Sequence, residues 1–442
     1  MPLDIIIIGG SLCGLMHAIP LHRLGHNVQI LEQSPTTTPA SHMAGVCLGP
    51  DMLTFLNRFD GVKDPLGIAA SQGQSLDSNG HAHPFMRIKR LMTSWDALYF
   101  RLRANFDGFK SDYVPNPPES ILDDGETDYE AQERAVYMIG QRVIGIKEGT
   151  DRDINRVSVT VEDVTLGETR TLSADLVLGA DGPSSIVRKT FLRDPPSRRY
   201  SGYVAWRGVV PESAVSAATR KVFQANLTYF MSTGGGDHVI VYNIPGPSGS
   251  LTPGTRYLNL CWFNNVPSSS LPCIMTDTHG KLHHTSISPA DLDPSIWSSQ
   301  LTLAISLFPA PYREILTKID SPFLHLITDY CSPRASFLDG RVLLLGDALA
   351  LLRPHTAYST NAAAAQAVLT ERLVRGEIQV REWEYRVTTA AYMQWCRSVW
   401  FGEYFQRPGY RWVVWGYAVR YWVVAGLNWV RFLFGRVDRP VL

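Results

Sequence analysis

The sequence predicts an α/β protein with a dinucleotide-binding parallel sheet, an inserted antiparallel sheet and a helical carboxyl-terminal tail. Three observations lead there. "IIIIGGSLCGL", Ile5 to Leu15, is an apolar run that breaks at a glycine cluster before a helix. "DLVLGADG" and "VLLLGDA" repeat the strand-then-glycine design near Gly179 and Gly346. Between these two lie aromatic-rich alternating segments, "GYVAWRGVV", "HVIVYNI" and "RYLNLCWFNN".

The first turn carries Gly9 and Gly14 of a G-x-G-x-x-G pattern, with Ser11 at the middle position. A helix opening there directs unpaired N–H groups at an anion, and Glu32, about 20 residues on, stands where such a fold places a ribose-binding carboxylate. Both features define a Rossmann-like nucleotide turn. Alternation in "QRVIGIKEG", "NRVSVTVEDV" and "ETRTLSADLVLGADG" predicts an antiparallel meander, and "SPTTTP", "VPNPPES", "RDPPSRR" and "IPGPSGSLTPG" predict loops. The third unit continues into an alanine-rich helix after Thr360.

Composition excludes several classes. The 41 basic and 41 acidic residues leave no net charge to recruit a nucleic acid. Six scattered cysteines without C-x-x-C or histidine spacing exclude a metal site and indicate free thiols in a reducing compartment. The first apolar run is a strand and not a signal peptide, so a cytoplasmic location is expected. The tail from Tyr410 to Phe434 is rich in Trp, Tyr and Val. A mid-span arginine costs about 2.5–3.5 kcal/mol, which argues against a bilayer span. Packing on the body or a partner subunit, with the tryptophans in the core, and lying in a membrane interface are the two readings left open.

The elements "GGSLCG" with Glu32, "DLVLGADGPSSIVR" and "VLLLGDALALLRPHTAYSTN", in this order, resemble the signatures of the FAD-dependent aromatic monooxygenases, the 4-hydroxybenzoate hydroxylase-like group. "GYVAWRG", "VIVYNIPGPSGSLTPGTRYLNLCWF" and "RLMTSWDALYFRLRANFDG" are similar to its 2,6-dihydroxypyridine hydroxylase branch. The resemblance implies a Rossmann-like FAD-binding domain with an inserted antiparallel-sheet substrate domain: 1–64, 93–195 and 329–385 for FAD, 65–92 and 196–328 for substrate, and 386–442 as a helical aromatic-rich segment. It also implies NAD(P)H and dioxygen as co-substrates, with a flavin hydroperoxide hydroxylating an aromatic or N-heterocyclic small molecule. Epoxidation or oxidative rearrangement of a lipophilic natural product is the alternative.

By the same resemblance FAD would be held by Gly9, Ser11, Leu12, Cys13, Gly14, Glu32, Gln33, Gly45, Val143, Asp181, Asp347, Pro354, Thr360 and Asn361. Asp181 has a plainer reading as a helix cap. The chain departs from the family at Ser359, where glycine is usual, at Gln366-Ala367, where aspartate-alanine is usual, and at Trp95, where the wider family has arginine. A side chain at Ser359 is expected to strain the flavin seat. His238, Tyr229 and His355 are the candidate catalytic bases, with His83 a fourth candidate, because imidazole and phenol can take a phenolic proton. Trp206 and Arg207 are expected to shape the pocket, Arg207 within a salt bridge.

Overall fold

A computed structural model describes residues 1–37, 44–119, 134–149, 155–224, 226–232, 235–407, 409 and 411–433. Of the predicted loop and tail residues, Thr38, Pro39, Ser120, Tyr410 and Phe434 lie outside these described residues. Ile5 to Ile8 are all buried, and their strand, Asp4–Ile8, is central in a six-stranded sheet. It pairs in parallel with Asn27–Leu31 on one side and Leu176–Gly179 on the other. Val342–Leu344 continues the parallel order beyond Leu176–Gly179. All three glycine turns therefore emerge at the same edge, the carboxyl ends of neighbouring strands, where open α/β sheets bind ligands.

The predicted meander forms a separate three-stranded sheet, Gln141–Glu148, Val157–Asp163 and Thr169–Ala174. The segment "ETRTLSADLVLGADG" divides at Asp175: one half belongs to the meander and the other to the parallel sheet. Asp175 marks the division by accepting the Asp4 N–H at 2.8 Å.

A ten-stranded sheet holds the aromatic segments, with Arg199–Pro211, Tyr257–Asn265 and Asp237–Ile244 adjacent and antiparallel. Its two-residue period separates two faces. Val204, Trp206, Val239, Val241, Leu260 and Trp262 enter one core beneath the helices Pro294–Leu307 and Ala310–Leu316. Tyr203, Ala205, Cys261 and Phe263 form a cluster on the opposite face.

The carboxyl-terminal region is two helices, Val380–Gln406 and Arg411–Leu433. The first is anchored in the body by Arg353, whose Nε donates to Asp329 at 2.8 Å and whose Nη1 donates to Glu403 at 2.9 Å, all three side chains being buried. Trp395 donates to the other oxygen of Asp329 at 2.9 Å. The second packs on the first through Ala418, Tyr421, Ala425 and Asn428. This corrects the expectation of core tryptophans: Trp412 is 90% exposed, Trp415 65% and Trp422 58%. Small residues and one tyrosine make the seam, which turns the indoles outward. No described helix is long and apolar enough to cross a membrane.

Arg353→Met would leave the carboxylates of Asp329 and Glu403 buried without their cation. A loss of about 3–5 kcal/mol is expected, read as a lower denaturant midpoint at unchanged slope.

Candidate functional site

A cleft of about 730 Å³ opens at the carboxyl ends of the parallel strands and reaches Arg207 on the ten-stranded sheet. Its floor is the first turn. Gly9 has φ +99°, and a Cβ there would sit 2.5 Å from the carbonyl oxygen of Ala180. A Cβ on Gly14 would sit 2.0 Å from the Gly9 oxygen, so neither position accepts a side chain. Ser11 is different: its φ is −80° and its side chain is exposed, which is why serine stands at the middle position of the motif. The helix Leu12–Arg23 has no side-chain cap and no acidic residue in its first turn. Ser11, Leu12 and Cys13 line the cleft there, so an anion would meet free N–H groups and the positive end of the helix dipole.

Glu32 and Gln33 follow along the wall, with Val143 from the meander. The Glu32 carboxylate accepts from Gly10 at 2.9 Å and Ser34 at 2.8 Å, which leaves lone pairs for a further donor. Asp181 does two things. Its Oδ2 caps the helix Ile186–Phe191 by accepting from Ile186 at 2.6 Å, so the plainer reading accounts for one oxygen. Its Oδ1 is buried without a protein partner at the cleft. Burial raises the Asp181 pKa and lifts that of Asp347 to about 6, and burial, with the two carboxylates adding to it, pushes the thiol of Cys13 far up.

Arg188, not singled out in the sequence for a structural role, joins the second and third turns. Its guanidinium donates to Pro183 O, Ala348 O and the Tyr330 hydroxyl, each at 2.7 Å. Gln366 accepts the Gly346 N–H at 2.7 Å, an acceptor role that a carboxylate at this position would fill equally well.

Ser359 and Thr360 bring the uncapped start of the helix Ser359–Val374 to the cleft. The expected strain at Ser359 is absent because Ser359 is already helical. The left-handed residue is Ala357, φ +48°, two positions earlier. Trp95 lines the cleft and stacks on Tyr99 at 4.7 Å.

Four of the expected cofactor residues do not line the cleft: Gly14, Gly45, Pro354 and Asn361. Gly14 acts from beneath, through its close contact with Gly9. Asn361 is fully buried, and its Oδ1 accepts from Gly49 at 2.8 Å, tying this helix to the one at Pro50–Phe59. Gly45 begins the strand Gly45–Leu48 of the ten-stranded sheet and donates to Asn259 of the same sheet at 3.0 Å. Pro354 begins the turn that carries His355.

The three candidate bases converge in one stack outside the cleft lining. His238 lies parallel to Tyr229 at 5.7 Å, to His355 at 5.5 Å and to Phe405 at 4.5 Å. His355 Nε2 is 3.1 Å from the Tyr203 hydroxyl. His238 is 0% exposed and neither ring nitrogen has a partner, and Nδ1 of His355 also lacks one. Burial lowers the His238 pKa to about 3 and holds His355 well below its ordinary value, so both rings are neutral near pH 7. Tyr229 is shifted upward by burial. His83 is exposed beside Asp77 on a hairpin, away from this cluster. Trp206 faces the opposite core, and Arg207 has no carboxylate within salt-bridge distance among the described residues, which corrects both expectations for that strand.

Residues 200–329 match the family model described as FAD binding domain-like. The chain is 29% identical to the 2,6-dihydroxypyridine 3-monooxygenase of Paenarthrobacter nicotinovorans over 86% of each chain. It is 24% identical to the 6-hydroxynicotinate 3-monooxygenase of Pseudomonas fluorescens, over 84% of this chain and 82% of that one. The structure of 2,6-dihydroxypyridine-3-hydroxylase from Arthrobacter nicotinovorans superposes with a TM-score of 0.76 at 25% identity, covering 92% of this chain and 94% of that one. In fold, motif order and relatives the chain is similar to the FAD-dependent aromatic monooxygenases. Within that class its likeness is to the hydroxylases of hydroxylated pyridines, and epoxidation or rearrangement is not the reading they fit. The side-chain-free cradle at Gly9 and Gly14 and the unpartnered Asp181 oxygen fit FAD.

The His238 ring titrates near pH 6.5 when unfolded but near 3 when folded. The unfolded chain therefore holds the extra proton between these values, and stability falls as pH drops through that window. In His238→Gln the dependence of unfolding free energy on pH should flatten by about one proton, or about 1.4 kcal/mol per pH unit. Chemical denaturation at several pH values measures it. At the turn before the helix Ser359–Val374, Ala357→Gly should stabilise the fold by about 1 kcal/mol, whereas Ser359→Gly, at the first helical position, should cost no more than about 0.5 kcal/mol.

Proposed function

We propose that this enzyme hydroxylates a phenol or hydroxylated N-heterocycle whose ring stacks in the His238–His355 cluster. The observation that carries this reading is His238: a fully buried imidazole with two unpartnered nitrogens between parallel aromatic rings. A buried polar group left unpaired costs about 1–3 kcal/mol, and a substrate hydroxyl or ring nitrogen would relieve it. Bound FAD, reduced by NAD(P)H, supplies the oxygen atom taken from dioxygen.

The chain's own residues do the rest. First-turn N–H groups at Ser11 to Cys13 would hold the pyrophosphate, and Glu32 would accept from the adenosine ribose. Asp181 and Asp347 would accept from the ribityl hydroxyls. N–H groups at Ser359 and Thr360 would stabilise negative charge at the pyrimidine edge of the ring system. His238, neutral at working pH, would accept a hydrogen bond from the substrate's hydroxyl and so raise the electron density of its ring, with Tyr203 orienting His355 beside it. Phe405 covers His238 at ring-stacking distance, so a substrate ring engaging His238 would displace it. Dioxygen and the small aromatic substrate are the partners. A second copy or a lipid surface would meet the chain through its tail.

Asp347→Ala should purify with most of its FAD lost, and Glu32→Ala with a smaller loss, measured as flavin absorbance per chain. His238→Gln should keep FAD yet lower kcat/KM by about 10–100-fold. The assay is NAD(P)H oxidation stimulated by a panel of phenols and pyridinols, with the product mass raised by one oxygen. A variant lacking His238 that hydroxylates at the wild-type rate would remove this role of His238.

A further inference from the structure

The tail helix Arg411–Leu433 buries one seam and exposes the rest. At 3.6 residues per turn the buried Ala418, Tyr421, Ala425 and Asn428 fall on one line facing Val380–Gln406. Trp415, Trp422 and Trp429 recur every seven residues along one border of the exposed face. Trp412, Val419, Val423 and Leu427 fill its middle, each more than half exposed. Arg420 and Arg431 lie along the far border, making ring contacts with Tyr417 and Tyr385 and no ion pair with a described residue. The helix has three arginines and no acidic residue.

We propose that this helix lies in the plane of an anionic lipid surface, with its apolar face at the boundary between headgroups and acyl chains. An apolar strip flanked by indoles and arginines matches that boundary, because indole is stable where an apolar body and a wet edge meet, and guanidinium pairs with lipid phosphate. The charge pattern favours lipid over a second copy. A two-fold contact would bring the same arginine border from both subunits with no carboxylate to neutralise it. The helix runs about 35 Å, and its inward seam is occupied by the preceding helix, so it rests on the surface without crossing.

The test uses the full-length holoenzyme with phosphatidylcholine vesicles, with and without phosphatidylserine. Sedimentation with the phosphatidylserine vesicles, weakened by salt, is expected. The triple variant Trp412→Ser, Trp415→Ser, Trp422→Ser should bind those vesicles about tenfold or more weakly with FAD content unchanged. Arg420→Glu should reduce the preference for phosphatidylserine. Equal vesicle binding by the triple variant and wild type would overturn the proposal, as would a vesicle-blind wild type. Sedimentation equilibrium assigns the face to a second copy if a vesicle-blind wild type is a dimer that the triple variant dissociates.

Discussion

The cleft depends on three strand-ending turns packed so closely that side chains are excluded between them. A Cβ at Gly9 would strike the Ala180 carbonyl, and one at Gly346 would lie 2.6 Å from the Cys13 sulfur. Parallel pairing of adjacent strands brings these turns to one edge. That contact sets Asp181 and Asp347 beside the start of the first helix, where burial perturbs both carboxyl groups. An enlarged residue at either glycine would separate the donors from the carboxylates and dismantle the seat as a unit.

The second sheet contributes by alternation. One face packs Trp206 and Trp262 against helices, while the other turns Arg207, Cys261 and Phe263 toward the nucleotide side. Its His238 is held neutral by burial, which leaves one ring nitrogen a hydrogen-bond acceptor and the other a donor. A charged imidazole at the same place would require a carboxylate partner. Among the described residues no ion pair reaches His238.

The long carboxyl-terminal helix links these regions. Arg353 precedes the His355 turn and is clamped by Asp329 of the sheet and Glu403 of the helix, so the position of His355 is coupled to that of Phe405, two residues beyond Glu403. The same helix supports the outer one along the seam of Ala418, Tyr421, Ala425 and Asn428, where Tyr385 donates to Asn428. The His238–His355 cluster and the exposed tail thus share one support.

The α/β class, the three glycine turns, the meander and the helical tail were all legible in the sequence, because an apolar run ending in glycine and a two-residue alternation are local patterns. FAD and the hydroxylase class were legible from the order of three motifs. Local patterns do not report distance across the fold. Asn361 sits within a recognisable motif and Gly45 in a short apolar segment, yet only the assembled fold reveals that Asn361 caps another helix and that Gly45 belongs to a strand of the ten-stranded sheet. The strained residue was misplaced by two positions, since φ follows from how the chain enters its helix and not from residue type alone. Likewise the tail's tryptophans read as core by composition, but which face of an apolar helix is buried depends on where small residues let a neighbour approach. Residue types and short spacings are set by the sequence; the meeting of His238 with His355, 117 positions apart, and the outward turn of the indoles are decided by packing.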